Sequence, residues 1–153
     1  MSRTFDFAST WVLPAPPEDV FTALAAVDLY PQWWPQVRAV ARLSESAALV
    51  VIRSALPYSL ELIVHREVED AATGTLRVGI SGDLTGYSAF HVAPHPGPWG
   101  ARHTEARFTE SVEVSAAVLG RVAGVLGPLL RANHAAMMRA GQVGLKAHLA
   151  GSS

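Results

Sequence analysis

Six strand-length segments follow one another through the middle of this chain with no helical segment between them, and that run constrains the fold more than any other feature. They are Val37 to Leu43, Ala48 to Ser54, Ser59 to Glu69, Thr75 to Ile80, Thr85 to Val92 and Ala101 to Val114. Each concentrates or alternates apolar residues and ends at Ser, Gly, Pro or Asp. Parallel pairing needs a crossover of a dozen or more residues, so strands on links this short pair antiparallel. The resulting meander carries an apolar face that something must cover.

The flanks supply the cover. Phe5 to Leu13 reads as a further strand, with Phe5, Phe7, Ser9, Trp11 and Leu13 in one phase and Pro14 as its stop. Pro16, Pro17, Glu18 and Asp19 then open a short helix, since a helix N-terminus tolerates proline and attracts carboxylates. Asp28 is placed to cap a second short helix running through Tyr30-Pro31-Gln32-Trp33-Trp34 to Pro35. After the strands, Ala116 to Leu149 repeats Leu126, Leu130, Asn133, Met137, Gly141 and Leu145 at helical spacing. That pattern predicts one long helix, with a kink or break at Pro128. The fold class is therefore α+β, with about seven antiparallel strands and a long C-terminal helix large enough to lie across them.

The chain has 153 residues, half of them apolar, which is the size and core content of one domain over 1–153. Twelve Lys and Arg balance thirteen Asp and Glu without clustering, so no footprint for nucleic acid exists. Cysteine is absent, which excludes disulfides and thiolate-bound metal. No segment has the length and apolar character of a signal peptide or membrane span, and a cytoplasmic location is expected. The sequence carries no signal for oligomeric state.

The order of elements, together with four segments, resembles a known family. The segments are Ala15-Pro16-Pro17-Glu18-Asp19-Val20-Phe21, Tyr30-Pro31-Gln32-Trp33-Trp34-Pro35, Gly82-Asp83-Leu84-Thr85-Gly86, and Asn133-His134 through Met138-Arg139-Ala140-Gly141 to Gly144-Leu145. The chain is similar over almost its whole length to the START-like, Bet v 1-like helix-grip proteins (the SRPBCC superfamily), and within them to bacterial polyketide cyclase and dehydrase relatives. The resemblance implies a sheet wrapped round the C-terminal helix with a deep apolar pocket between them. Relatives use it to carry lipids or hormones, to cyclise polyketides or to sense small ligands.

Strand phase selects the candidate polar residues of such a pocket. Leu60, Leu62, Val64, Arg66 and Val68 share one face of their strand, so Arg66 points with the apolar set. On the last strand Glu110 falls in phase with Thr104, Ala106, Phe108, Val112 and Val114. A lone charge on a cavity face needs a partner or water, and the two are expected to serve each other. Functionally, Arg66 would orient a ligand oxygen and Glu110 would hydrogen-bond or transfer a proton. Alternatively they form a structural pair at the rim, or a bulge turns them to solvent. His65-Arg66 also resembles the histidine–arginine pair of the aromatase/cyclase branch.

Tyr30, Trp33 and Trp34 lie where relatives place the pocket wall, with one tryptophan expected in the core and the other at the cavity. Tyr58 offers a rim hydroxyl, Phe90 lies in the inward phase of its strand, and Asn133 and Met137 share the apolar stripe of the long helix. His134, about 100° round from Asn133, reads as a capping or surface residue. His91, His95 and His103 lack metal-ligand spacing, and no nucleophile elbow or phosphate loop occurs. The first functional reading is binding of a hydrophobic or aromatic, lipid- or polyketide-like small molecule without cofactor or metal. A cyclase, aromatase or dehydratase working through Arg66, Glu110 and Tyr58 is the second, and a protein-interaction module with a filled cavity the third.

Overall fold

The computed structural model describes residues 3–53, 59–97, 102–116, 118 and 127–151. The chain runs β1 (Arg3–Leu13), α1 (Pro17–Ala25), a 3-10 helix (Val27–Gln32), β2 (Val37–Arg42), β3 (Ala47–Ile52), β4 (Leu60–Asp70), β5 (Thr75–Gly82), β6 (Leu84–Pro94), β7 (Thr104–Val114) and α2 (Gly127–Gly151). The strands form one antiparallel sheet in the order β1-β7-β6-β5-β4-β3-β2. The meander is therefore continuous from β2 to β7, and β1 closes its far side against β7 from Arg3↔Val114 to Leu13↔Thr104.

The inward phase of each strand follows the alternation of its residues. Phe5, Trp11 and Leu13 on β1, Phe90 and Val92 on β6, and Ala106, Phe108 and Val112 on β7 are buried. The sheet bends where glycine removes a side chain. Gly86 passes so close to β7 that a Cβ there would meet the Ser111 carbonyl oxygen at 1.9 Å. Gly82, with φ 103°, turns β5 into β6, and the neighbouring Asp83 Oδ2 accepts the Glu61 N–H at 2.8 Å to pin that turn to β4.

One element differs from the sequence-based expectation. The second short helix is 3-10 and ends at Gln32, because Pro31 sits inside it and both the Trp33 and Trp34 N–H groups fall back on the Tyr30 carbonyl. The long helix α2 is described from Gly127 to Gly151, and the kink or break expected at Pro128 abuts residues 119–126, which lie outside the described residues. Gly120 and Gly124 of the preceding stretch lie outside the described residues.

Buried apolar residues gather in two clusters, one of Phe5, Leu62, Ile80, Val112, Val114 and Val118 and a larger one that joins α1, β1 and α2. Val20 and Leu24 of α1, Trp11 and Leu13 of β1, and Leu145 of α2 are almost completely buried there. The one buried polar side chain described, Thr104, satisfies itself by donating to the Ala15 carbonyl at 2.7 Å.

Candidate ligand cavity

Beyond that core the sheet and α2 separate, leaving a cavity of about 290 Å³. This lies near the lower end of small-molecule pockets, roughly 300 Å³. Its walls are Leu62 and Val64 of β4, Phe90 of β6, Phe108 of β7, and Met137 and Met138 of α2. Among the described residues the side chains leave this space open, which weighs against the expectation of a filled cavity.

Of the aromatic segment, Trp34 and the Tyr30 ring line the cavity, whereas Trp33 packs behind them against Trp11 at 6.4 Å between centroids. Trp34 Nε1–H donates to the Met137 carbonyl at 2.9 Å, which ties the wall to α2. The Tyr30 hydroxyl donates to the Leu24 carbonyl at 2.6 Å, so it is already engaged within the protein. Burial pushes this phenol well above its ordinary range, which keeps it protonated and donating. Asn133 also lines the cavity, while Tyr58 lies outside the described residues.

The polar candidates are arranged across the sheet rather than paired. Register aligns Phe7, Glu110, Ser88, Val78 and Arg66 in one row over five strands. Arg66 and Glu110 are three strand spacings apart, about 14 Å along the sheet, so they are not each other's partner. Arg66 stands at the cavity mouth, half exposed. Its guanidinium meets Glu69 Oε1 at 3.4 Å and donates to the Glu45 carbonyl at 3.2 Å. A bulge between Arg66 and Val68 makes the first contact possible. The extra residue brings Glu69, three positions along the strand, back to the face of Arg66. Arg42 reaches the same Glu45 carbonyl at 3.2 Å and holds Asp28 at 3.3 Å, so two guanidinium groups converge on one hairpin carbonyl at the rim.

Glu110 has a different partner, His134 of α2, with Oε1 and Nε2 at 3.1 Å and both side chains largely buried. The imidazole stacks on Phe7 with ring centroids 3.7 Å apart and planes within 10°, and Phe108 lies at 6.0 Å. His134 is thus a cavity residue, not a surface or capping one. The signal for it lay in its position four residues after Leu130 and four before Met138, on the inward stripe of the helix.

Among the described residues no group of three or more His, Cys, Asp or Glu side chains could hold a metal ion. His95 Nδ1 accepts the Gly97 N–H at 2.9 Å, the arrangement of a turn. No helix among the described residues is long and apolar enough to cross a membrane.

The sequence matches, over residues 4–150, the family described as polyketide cyclase / dehydrase and lipid transport. No curated protein matches it by sequence. Among solved structures, a START superfamily protein from Mycobacterium smegmatis superposes with TM-score 0.76 at 16% identity, covering 97% of this chain and 99% of that one. The Zhui aromatase/cyclase from Streptomyces sp. R1128 gives 0.65 at 19% identity, covering 99% and 93%. A point mutant of norcoclaurine synthase from Thalictrum flavum, in complex with a transition-state analogue, gives 0.61 at 14% identity and 97% of both chains. At these identities the likeness establishes the helix-grip fold that the three share with this chain.

Proposed function

Since the chain belongs to the polyketide cyclase / dehydrase and lipid transport family, we propose that it binds a hydrophobic or aromatic small molecule between the sheet and α2. The observation that carries this reading is the open space of about 290 Å³ walled by aliphatic and aromatic side chains from both layers. Burying such a ligand yields about 25 cal/mol for each Å² of apolar surface removed from water. Tyr30, Trp34, Phe90 and Phe108 supply flat faces for a ring system, and Leu62, Val64 and Met137 the aliphatic remainder. Arg66 stands at the mouth, where it meets the polar end of a ligand.

A second reading, catalysis of a cyclisation, aromatisation or dehydration in the same cavity, is favoured by the buried Glu110–His134 contact, an acid–base pair facing the space. Native mass spectrometry of protein purified without detergent, followed by organic extraction, tests the binding reading. A discrete adduct of an apolar compound is the expected result. A bare mass, together with failure to bind any two-ring aromatic compound in titration, contradicts it. Glu110→Gln, at the pair that carries the second reading, then separates the two. A binder loses affinity modestly, whereas a cyclase keeps binding a poly-β-ketone and loses turnover.

A further inference from the structure

We infer that the Glu110–His134 pair is a recognition site inside the cavity that selects aromatic ligands carrying a hydroxyl donor over apolar molecules of the same shape. This rests on the cavity-binding reading and adds what the bound molecule must present.

The pair is built by elements remote in sequence, β7 and α2, and its side chains are only 14% and 16% exposed. With the carboxylate as acceptor, His134 Nε2 carries the proton and satisfies Oε1 alone. An ionised carboxylate has about four acceptor positions, and among the described residues no protein donor meets the second oxygen of Glu110. Phe7 and Phe108 flank the imidazole, and Ser88 of β6 stands directly across from Glu110 on the same face. The second oxygen of Glu110 is not among the buried polar atoms left without a partner, so water reaches it in the free protein, and a ligand that excludes this water has to replace its bond.

The stack on Phe7 and the bond to Glu110 hold the imidazole in one orientation, so the site is fixed before a ligand arrives. A ligand hydroxyl donates to Glu110 and inserts its ring among Phe90, Phe108 and Trp34. A ligand of equal shape without the donor displaces water from the carboxylate and gives nothing back, which is the condition for strong discrimination. A ligand carboxylate would meet like charge.

Calorimetric titration of the full chain with 2-naphthol, 2-methoxynaphthalene and naphthalene tests this. In the second compound a methyl group replaces the donor hydrogen. We expect 2-naphthol to bind about tenfold or more tightly than either of the others. In Glu110→Leu the preference should vanish while naphthalene still binds, which also reports that the variant cavity is intact. Where that variant fails to fold, as judged by circular dichroism, Glu110→Gln decides. A neutral acceptor is about half as strong, so the preference should shrink by about threefold or more. Equal binding of naphthol and its methyl ether to the unaltered protein overturns the inference and leaves the cavity reading standing. An undiminished preference in the decisive Glu110 variant overturns it too. Failure of all three compounds to bind overturns both.

Discussion

The two halves of α2 meet the sheet in opposite ways. In the C-terminal half, Gly141 and Gly144 bring the helix backbone onto the tryptophan cluster. A Cβ at Gly144 would lie 1.7 Å from the Trp33 carbonyl oxygen, and one at Gly141 would lie 2.6 Å from Trp34 Cε2 and 2.9 Å from Trp11 Cη2. In the N-terminal half, Leu130, His134 and Met137 stand over open space. One helix is thus clamped at one end and held off at the other. The clamp supplies close packing, and the standing-off half supplies the cavity. Side-chain size along a single stripe decides which half does which.

The comparison breaks most severely at Gly144. Because its neighbour is backbone that cannot rotate away, Gly144→Ala should cost about 3 kcal/mol or more, at the upper end of overpacking. Urea denaturation would read this as a large fall in midpoint. Gly141→Ala meets indole ring atoms instead, in a knot where Trp33 and Trp34 stack at 5.4 Å. A loss of about 1–3 kcal/mol is expected by the same measurement.

Tyr30→Phe sharpens the picture of the clamp's edge. It removes the hydroxyl bond to the Leu24 carbonyl, for about 1 kcal/mol near neutral pH. The raised phenol pKa makes this contribution complete below the unfolded value of about 10 and lost as pH rises beyond it. Denaturation of the two proteins at pH 8 and pH 11 should therefore show the gap between them closing.

Arg66→Ala, at the mouth of the open half, removes a contact to Glu69 between half-exposed groups. Solvent screening limits such a pair to about 0–1 kcal/mol, so its thermal midpoint should hardly move. A loss as large as that of Gly141→Ala would show that the mouth, too, is structural.

Strand phase was legible because a period of two is written directly in the residues: the inward sets of β1, β6 and β7 stand as the alternation reads. The separation of Arg66 from Glu110 was not legible, since phase says which face a side chain takes and pairing order says how many strands lie between. The bulge after Arg66 left no mark either, as the run Glu67-Val68-Glu69 alternates in the sequence as an unbroken strand would. His134 was in reach, because counting from Leu130 and Met138 puts it on the inward stripe, while counting from Asn133 alone turns it away. Of the clamp glycines, Gly141 was visible as one step of the helical stripe and Gly144 only as part of a resemblance. Nothing in a glycine announces which backbone approaches it.

The most direct test of the division of α2 into a clamped and an open half is a methyl NMR titration with 2-naphthol. The Leu130 and Met137 methyls line the cavity, and the completely buried Leu145 does not. The account predicts that the Leu130 and Met137 signals shift and saturate together while the Leu145 signals stay in place. Saturable binding that leaves Leu130 and Met137 unmoved, or that shifts Leu145 most, would contradict it.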